Sequence, residues 1–131
     1  MPQLFHAYLP SRNLPVNADI GRALSSRGWS VELPESPSLC DTNGKFTITI
    51  DGQDINLEIG TAPVDSIAEA EIAKLGETAA KIMKTTDVRV SFSGTDDLSA
   101  KWSRDIARGV ALLSLGAFHD AASGTTLHYG Y

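Results

Sequence analysis

The chain has 131 residues, 42% of them apolar, with sixteen acids against eleven bases and a formal charge of −5. That apolar share is enough for one core, and the acidic balance argues against a chain whose main task is to grip phosphate backbone. A single cysteine, Cys40, excludes an internal disulfide framework and fits a reducing, cytoplasmic setting. The first residues show neither a basic and then apolar leader nor a lipidation box, and the most apolar stretch, Gly109 to Phe118, is about half of what a bilayer crossing needs. The expectation is one soluble domain over residues 1–131, with neither a membrane nor a nucleic acid as partner.

Leu4 to Leu9 reads as a strand ended by Pro10. Asn17 is placed to cap a first helix over about 18–27, whose inward stripe is Val16, Ile20, Ala23 and Leu24. Trp29, Val31 and Leu33 alternate with polar neighbours as a second short strand, and the proline- and serine-containing segment 34–44 follows as a loop that leaves Cys40 exposed.

The strongest local signal is a hairpin from Lys45 to Gly60. Phe46, Ile48 and Ile50 alternate with polar residues, as do Ile55, Leu57 and Ile59. Asp51-Gly52 suits a two-residue type I′ turn, and closing on it pairs Ile48 with Ile55, Phe46 with Leu57 and Lys45 with Glu58. A slip by one residue would set apolar against polar side chains throughout, so the register is specified.

Ser66 with Glu69 reads as a capping box opening one long helix over about 67–85, acidic near its start and basic near its end. Val88, Val90 and Phe92 form a further strand. Thr95-Asp96-Asp97 then caps a third helix, predicted over about 98–121 and enclosed on several sides, because only Ser114 is polar between Gly109 and Phe118. Residues 126–131 give a last strand. The order β-α-β-β-β-α-β-α-β implies an α+β domain: a largely antiparallel or mixed sheet of about six strands, with about three helices on one face and the long C-terminal helix buried.

No spacing of the HExxH, CxxC or P-loop type occurs, so no cofactor or metal is expected. No two of His6, His119 and His128 share a close ligand spacing such as one or four residues, and pairing of the first and last strands would bring His6 and His128 onto one face. With Ser93, Asp97 or Asp120 nearby they would form a small hydrolase or metal-dependent enzyme, the alternative function. Ser91-Phe92-Ser93-Gly94 lacks the GxSxG elbow, and Asp96 and Asp97 have an independent role at a helix start.

One asymmetry stands out. From Glu32 to Asp65 there are seven acids and one base, Lys45, a net of −6, while the rest of the chain sums to +1. Glu32, Glu35, Asp41, Asp51, Asp54 and Glu58 are therefore the candidate partner-binding residues. Concentrated negative charge steers basic partners, and it also discourages pairing at sheet edges. The expected function is a non-catalytic binding or inhibitor protein, using an acidic sheet face and the 34–44 loop to cover a basic surface on a toxin or enzyme domain. Bacterial immunity proteins and antitoxins are of this physical kind, an analogy of class that rests on no shared motif. A homodimer built on an exposed sheet edge is a third reading.

Overall fold

The computed structural model describes residues 4–26, 28–34 and 38–129. Seven strands make a single antiparallel sheet: β1 (Phe5–Leu9), β2 (Val31–Glu32), β3 (Gly44–Ile50), β4 (Gln53–Pro63), β5 (Val88–Gly94), β6 (Ala117–Asp120) and β7 (Thr126–His128). Their order across the sheet is β2-β3-β4-β5-β1-β6-β7. Among the described residues the four α-helices are α1 (Asn17–Ser25), α2 (Glu69–Ala73), α3 (Ala79–Thr85) and α4 (Asp97–Ser114). The α+β architecture, the antiparallel sheet and the long buried C-terminal helix all follow the sequence pattern.

Period-two alternation builds the main core. Phe5, Ala7 and Leu9 of β1 share one sheet face with Ile48, Ile55, Leu57, Val90 and Phe92, and bury it against Trp102, Ile106 and Val110 of α4 and Ile20 and Leu24 of α1. Side chains of this size each stabilise the fold by about 1.5–3 kcal/mol when fully buried. Trp29 stands edge-on to Trp102, 4.7 Å between ring centroids, and closes the core beneath β2. The hairpin has the expected register, Ile48 with Ile55, Phe46 with Leu57 and Lys45 with Glu58, and both Asp51 and Gly52 have the positive φ of a type I′ turn.

Several expectations are corrected. Helices lie on both sheet faces, because Tyr8 and Ala117 point away from α4 and pack with Val64, Leu75 and Ile82 in a second, smaller cluster. The predicted helix over 67–85 is two short helices, α2 and α3, joined at Gly76, whose φ of +69° is incompatible with continuing a right-handed helix. Ser66 forms no capping box; its hydroxyl donates to the Pro63 carbonyl within a 3-10 turn. Asn17 is not a cap but the first residue of α1, buried and bonded elsewhere. Cys40, expected in an exposed loop, is buried in the main core beside Leu39.

The largest correction concerns the C-terminal helix. It ends at Ser114 rather than near Ala121, because Leu115 adopts a left-handed conformation and the Gly116 N–H returns to the Ala111 carbonyl. The apolar run Gly109 to Phe118 thus spans the end of a helix, a turn and the start of β6. Gly116 lies so close to β1 that a Cβ on it would be 2.0 Å from the Tyr8 carbonyl oxygen. Among the described residues, no helix is long and apolar enough to cross a membrane.

Candidate functional site

The end of the sheet formed by β2, β3 and β4 presents a polar face on the side opposite α4. Glu32 is in register with Thr49, and Thr49 with Asp54, so the two acids flank one threonine in a single cross-strand row. At ordinary strand spacing they stand about 10 Å apart. Asp54, Asn56 and Glu58 follow at alternate positions along β4 and are exposed. The Thr49 and Thr47 hydroxyls donate to the side-chain oxygens of Asp54 and Asn56, at 3.2 and 3.0 Å, which orders this face without neutralising it. Lys45 is the cross-strand partner of Glu58. No acid of this face takes part in an ion pair among the described residues, where the two ion pairs are Asp19 with Arg22 and Glu71 with Arg89.

The other acids are placed differently. Asp51, in the turn, accepts a 2.8 Å hydrogen bond from the Ser30 N–H and ties the hairpin tip to the segment before β2. Asp41 is exposed at the far end of the hairpin, beside Thr61 and Ala62. Glu35 lies outside the described residues, as does part of the 34–44 loop. Of the six sequence candidates, Glu32, Asp54 and Glu58 therefore share one face, Asp51 borders it, and Asp41 stands apart.

Further along the same side of the sheet a second polar group is buried beneath α2 and α3. His6 on β1 lies between Ser91 of β5 and His119 of β6 in one cross-strand row that continues to Thr126 of β7. His6 Nδ1 is 2.7 Å from the Ser91 hydroxyl, and His119 Nδ1 is 2.8 Å from that of Thr126. The next row holds Arg89, Tyr8, Ala117 and His128. Arg89 Nη1 approaches Glu71 of α2 to 3.4 Å, yet neither its Nε nor its Nη1 makes a hydrogen bond among the described residues.

Burial, reinforced by the positive charges of Arg89, His119 and Lys74, pushes His6 down from 6.5 to about 3. Burial lowers His119 as well, against the raising effect of Asp120. The Tyr8 hydroxyl is raised by burial, with Arg89 pulling the other way. The Cys40 thiol is pushed up to about 12, by burial first and by Asp41 second.

His119 was expected near the end of a helix and stands instead in the sheet, which is what brings it to His6. His128 shares their face but sits one row away, with Nε2 3.5 Å from the Thr85 hydroxyl. Ser93 pairs with Glu58, Asp97 opens α4, and the Asp120 carboxylate accepts from the Ala122 and Ser123 N–H groups, so none of the three orients the histidine pair. Among the described residues no three His, Cys, Asp or Glu side chains are grouped so as to hold a metal ion. Sequence reasoning missed Tyr8 and Arg89. A base between Val88 and Val90 was a visible signal, but its burial depends on α2 covering that face.

No family model, curated protein or solved structure matches this chain.

Proposed function

We propose that the chain is a non-catalytic binding protein of the immunity or antitoxin kind, which covers a basic surface on a partner protein with the open face of β2, β3 and β4 and the segment between β2 and β3. The observation that carries this reading is that Glu32, Asp54 and Glu58 project from one face that is free of ion pairs among the described residues. Three carboxylates against the single base Lys45 leave this face with a net negative charge, which attracts a cationic surface over roughly a Debye length, about 8–10 Å at physiological ionic strength, and raises the association rate.

The test begins with affinity capture from the native host at low and moderate salt, followed by stopped-flow association with the captured protein. Reversing Glu32, Asp54 and Glu58 together to lysine should slow association at least about tenfold and flatten its salt dependence. Asp51 is left in place because its carboxylate serves the Ser30 N–H. A triple variant that associates at the parental rate, with parental salt dependence, overturns the reading.

The contact between His6 and Ser91 favours a second reading, hydrolytic chemistry on that pair. It ranks lower on chemical grounds, since a general base works best with a pKa near the operating pH and burial takes His6 to about 3. Turnover of a simple activated ester that is abolished by Ser91→Ala would reverse the order.

A further inference from the structure

We infer that the outer face of α4 pairs with the same face of a second copy of the chain, the two helices antiparallel about a two-fold axis. Leu98, Lys101, Asp105, Arg108 and Leu112 recur along α4 at alternating spacings of three and four residues, the seam of a helix that packs along another helix, and the left-handed Leu115 just past its end prolongs that seam. The apolar members of this seam face water: Leu98 is 37% exposed, Leu112 51% and Leu115 49%. Leu113, 43% exposed, widens the apolar area on one side. Leu112, Leu113 and Leu115 form an uncovered apolar group at the end of α4, with Leu98 at its start, and such a group on an amphipathic helix marks an interaction surface.

The occupant follows from the order of the residues. An antiparallel pair centred between Ile106 and Ala107 opposes Leu98 with Leu115, Lys101 with Leu112, and Asp105 with Arg108, each contact occurring twice. A parallel pair would instead set Asp105 against Asp105 and Arg108 against Arg108. Asp105 and Arg108 are half-buried, and among the described residues neither is engaged in an ion pair within its own chain. The centre of the seam, Asp105 and Arg108, therefore complements itself when reversed, with Lys101 laying its aliphatic stem against Leu112, and this is a property that a second copy uses and an unrelated partner would not require. Gly109 helps: no atom comes within 4 Å of a Cβ placed there, so the facing helix can approach closely. The seam residues Asp105 and Leu112 also line a groove between α1 and α4, together with Ala23, Gly109 and Leu113. The acidic face of β2, β3 and β4 lies on the opposite side of the sheet, so the inference stands independently of the proposed function.

Sedimentation equilibrium of the full chain over about a hundredfold concentration range tests it. A reversible dimer is expected. Asp105→Arg and Arg108→Asp should each weaken it at least about tenfold by opposing like charges twice, and the two substitutions together should restore it to within about threefold. Far-UV circular dichroism of dilute samples separates lost association from lost folding. Should either swap fail to fold, Leu112→Gln at the exposed seam replaces it and should also weaken the dimer about tenfold. A chain that stays monomeric throughout overturns the inference. So does a dimer indifferent to these substitutions, which would place the contact elsewhere, for example at the β2 or β7 edge.

Discussion

The imidazoles of His6 and His119 lie nearly parallel, 6° apart in plane and 6.2 Å between centroids, as direct cross-strand partners on β1 and β6. Two buried bases side by side resist protonation: a charge on either loses its hydration and is repelled by Lys74, with Arg89 and the neighbouring imidazole adding at His6 and Asp120 opposing the effect at His119.

That relationship makes stability depend on pH with a definite sign. Above the ordinary value of 6.5 both folded and unfolded chains carry a neutral His6, and no penalty exists. Below it the unfolded chain takes up the proton and the folded one does not, until the pH reaches about 3. Stability should fall by about 1.4 kcal/mol per pH unit from His6 alone as the pH drops through this window, with His119 adding in the same direction. Asp87, held below its ordinary 3.8 by hydrogen bonds from Ser11, loses its contribution only at lower pH. Urea unfolding at pH 6.5 and pH 5 therefore isolates the histidines. His6→Gln should remove most of the difference between the two pH values; equal slopes for parent and variant would show that His6 titrates normally in the fold.

Two glycines are required by close backbone approach. A Cβ on Gly116 would lie 2.0 Å from the Tyr8 carbonyl oxygen, and one on Gly94 would lie 2.2 Å from the Ser99 carbonyl carbon at the start of α4. Gly116→Ala and Gly94→Ala should each cost about 3 kcal/mol or more, since main chain rather than a flexible side chain must move. Gly60, in β4 with no atom near its Cβ position and no positive φ, is the control, and Gly60→Ala should stay within about 1 kcal/mol of the parent. Thermal melts of the three variants make the comparison.

The same glycines mark where the sequence was readable and where it was not. The hairpin from Lys45 to Gly60 was legible because its signals are local: alternation at period two and a turn dipeptide between the strands. The break at Gly76 was not, because the apolar residues Ile72, Leu75, Ala79 and Ile82 keep helical spacing across it. Leu115 hid the end of α4, since leucine seldom takes a left-handed conformation and the apolar run continues beyond it into β6. Once β6 was read as helix, the row from Ser91 through His6 and His119 to Thr126 could not be assembled, although every member was visible. Asp54 and Glu58 came onto one face because their spacing along the hairpin was legible, whereas Glu32 depended on β2 pairing with β3 and Asp41 on the path of a loop.

Cys40 should be chemically silent in the folded chain. The residue is 1% exposed and burial pushes its pKa up to about 12, so at pH 8 the reactive thiolate is scarce. A thiol-specific disulfide reagent should modify the native protein at the rate of its opening, and the urea-unfolded chain at once. Cys40→Ala should cost about 1–2 kcal/mol through the small void it leaves beside Leu39. Rapid stoichiometric labelling of the native chain would contradict the burial.

Asn17 has the most direct control over the segment that follows β2. Its Nδ2 donates to the Pro34 carbonyl and its Oδ1 accepts from the Leu39 N–H, both at 2.8 Å, so one buried side chain fixes both ends of the stretch between them. Asn17→Ala would leave the buried Leu39 N–H without this partner and free the Pro34 carbonyl, at a cost of about 2–4 kcal/mol. Asn17→Asp keeps the acceptor for Leu39 but loses the donor and buries a charge, so it should also destabilise. The readout specific to this role is limited proteolysis of the segment 34–44, compared with Ile106→Val, a loss of core packing on α4 that removes no hydrogen bond to that segment. At matched global stability the Asn17 variants should be cut there faster than Ile106→Val, because only they release the chain locally; equal cutting rates would reduce Asn17 to an ordinary buried amide.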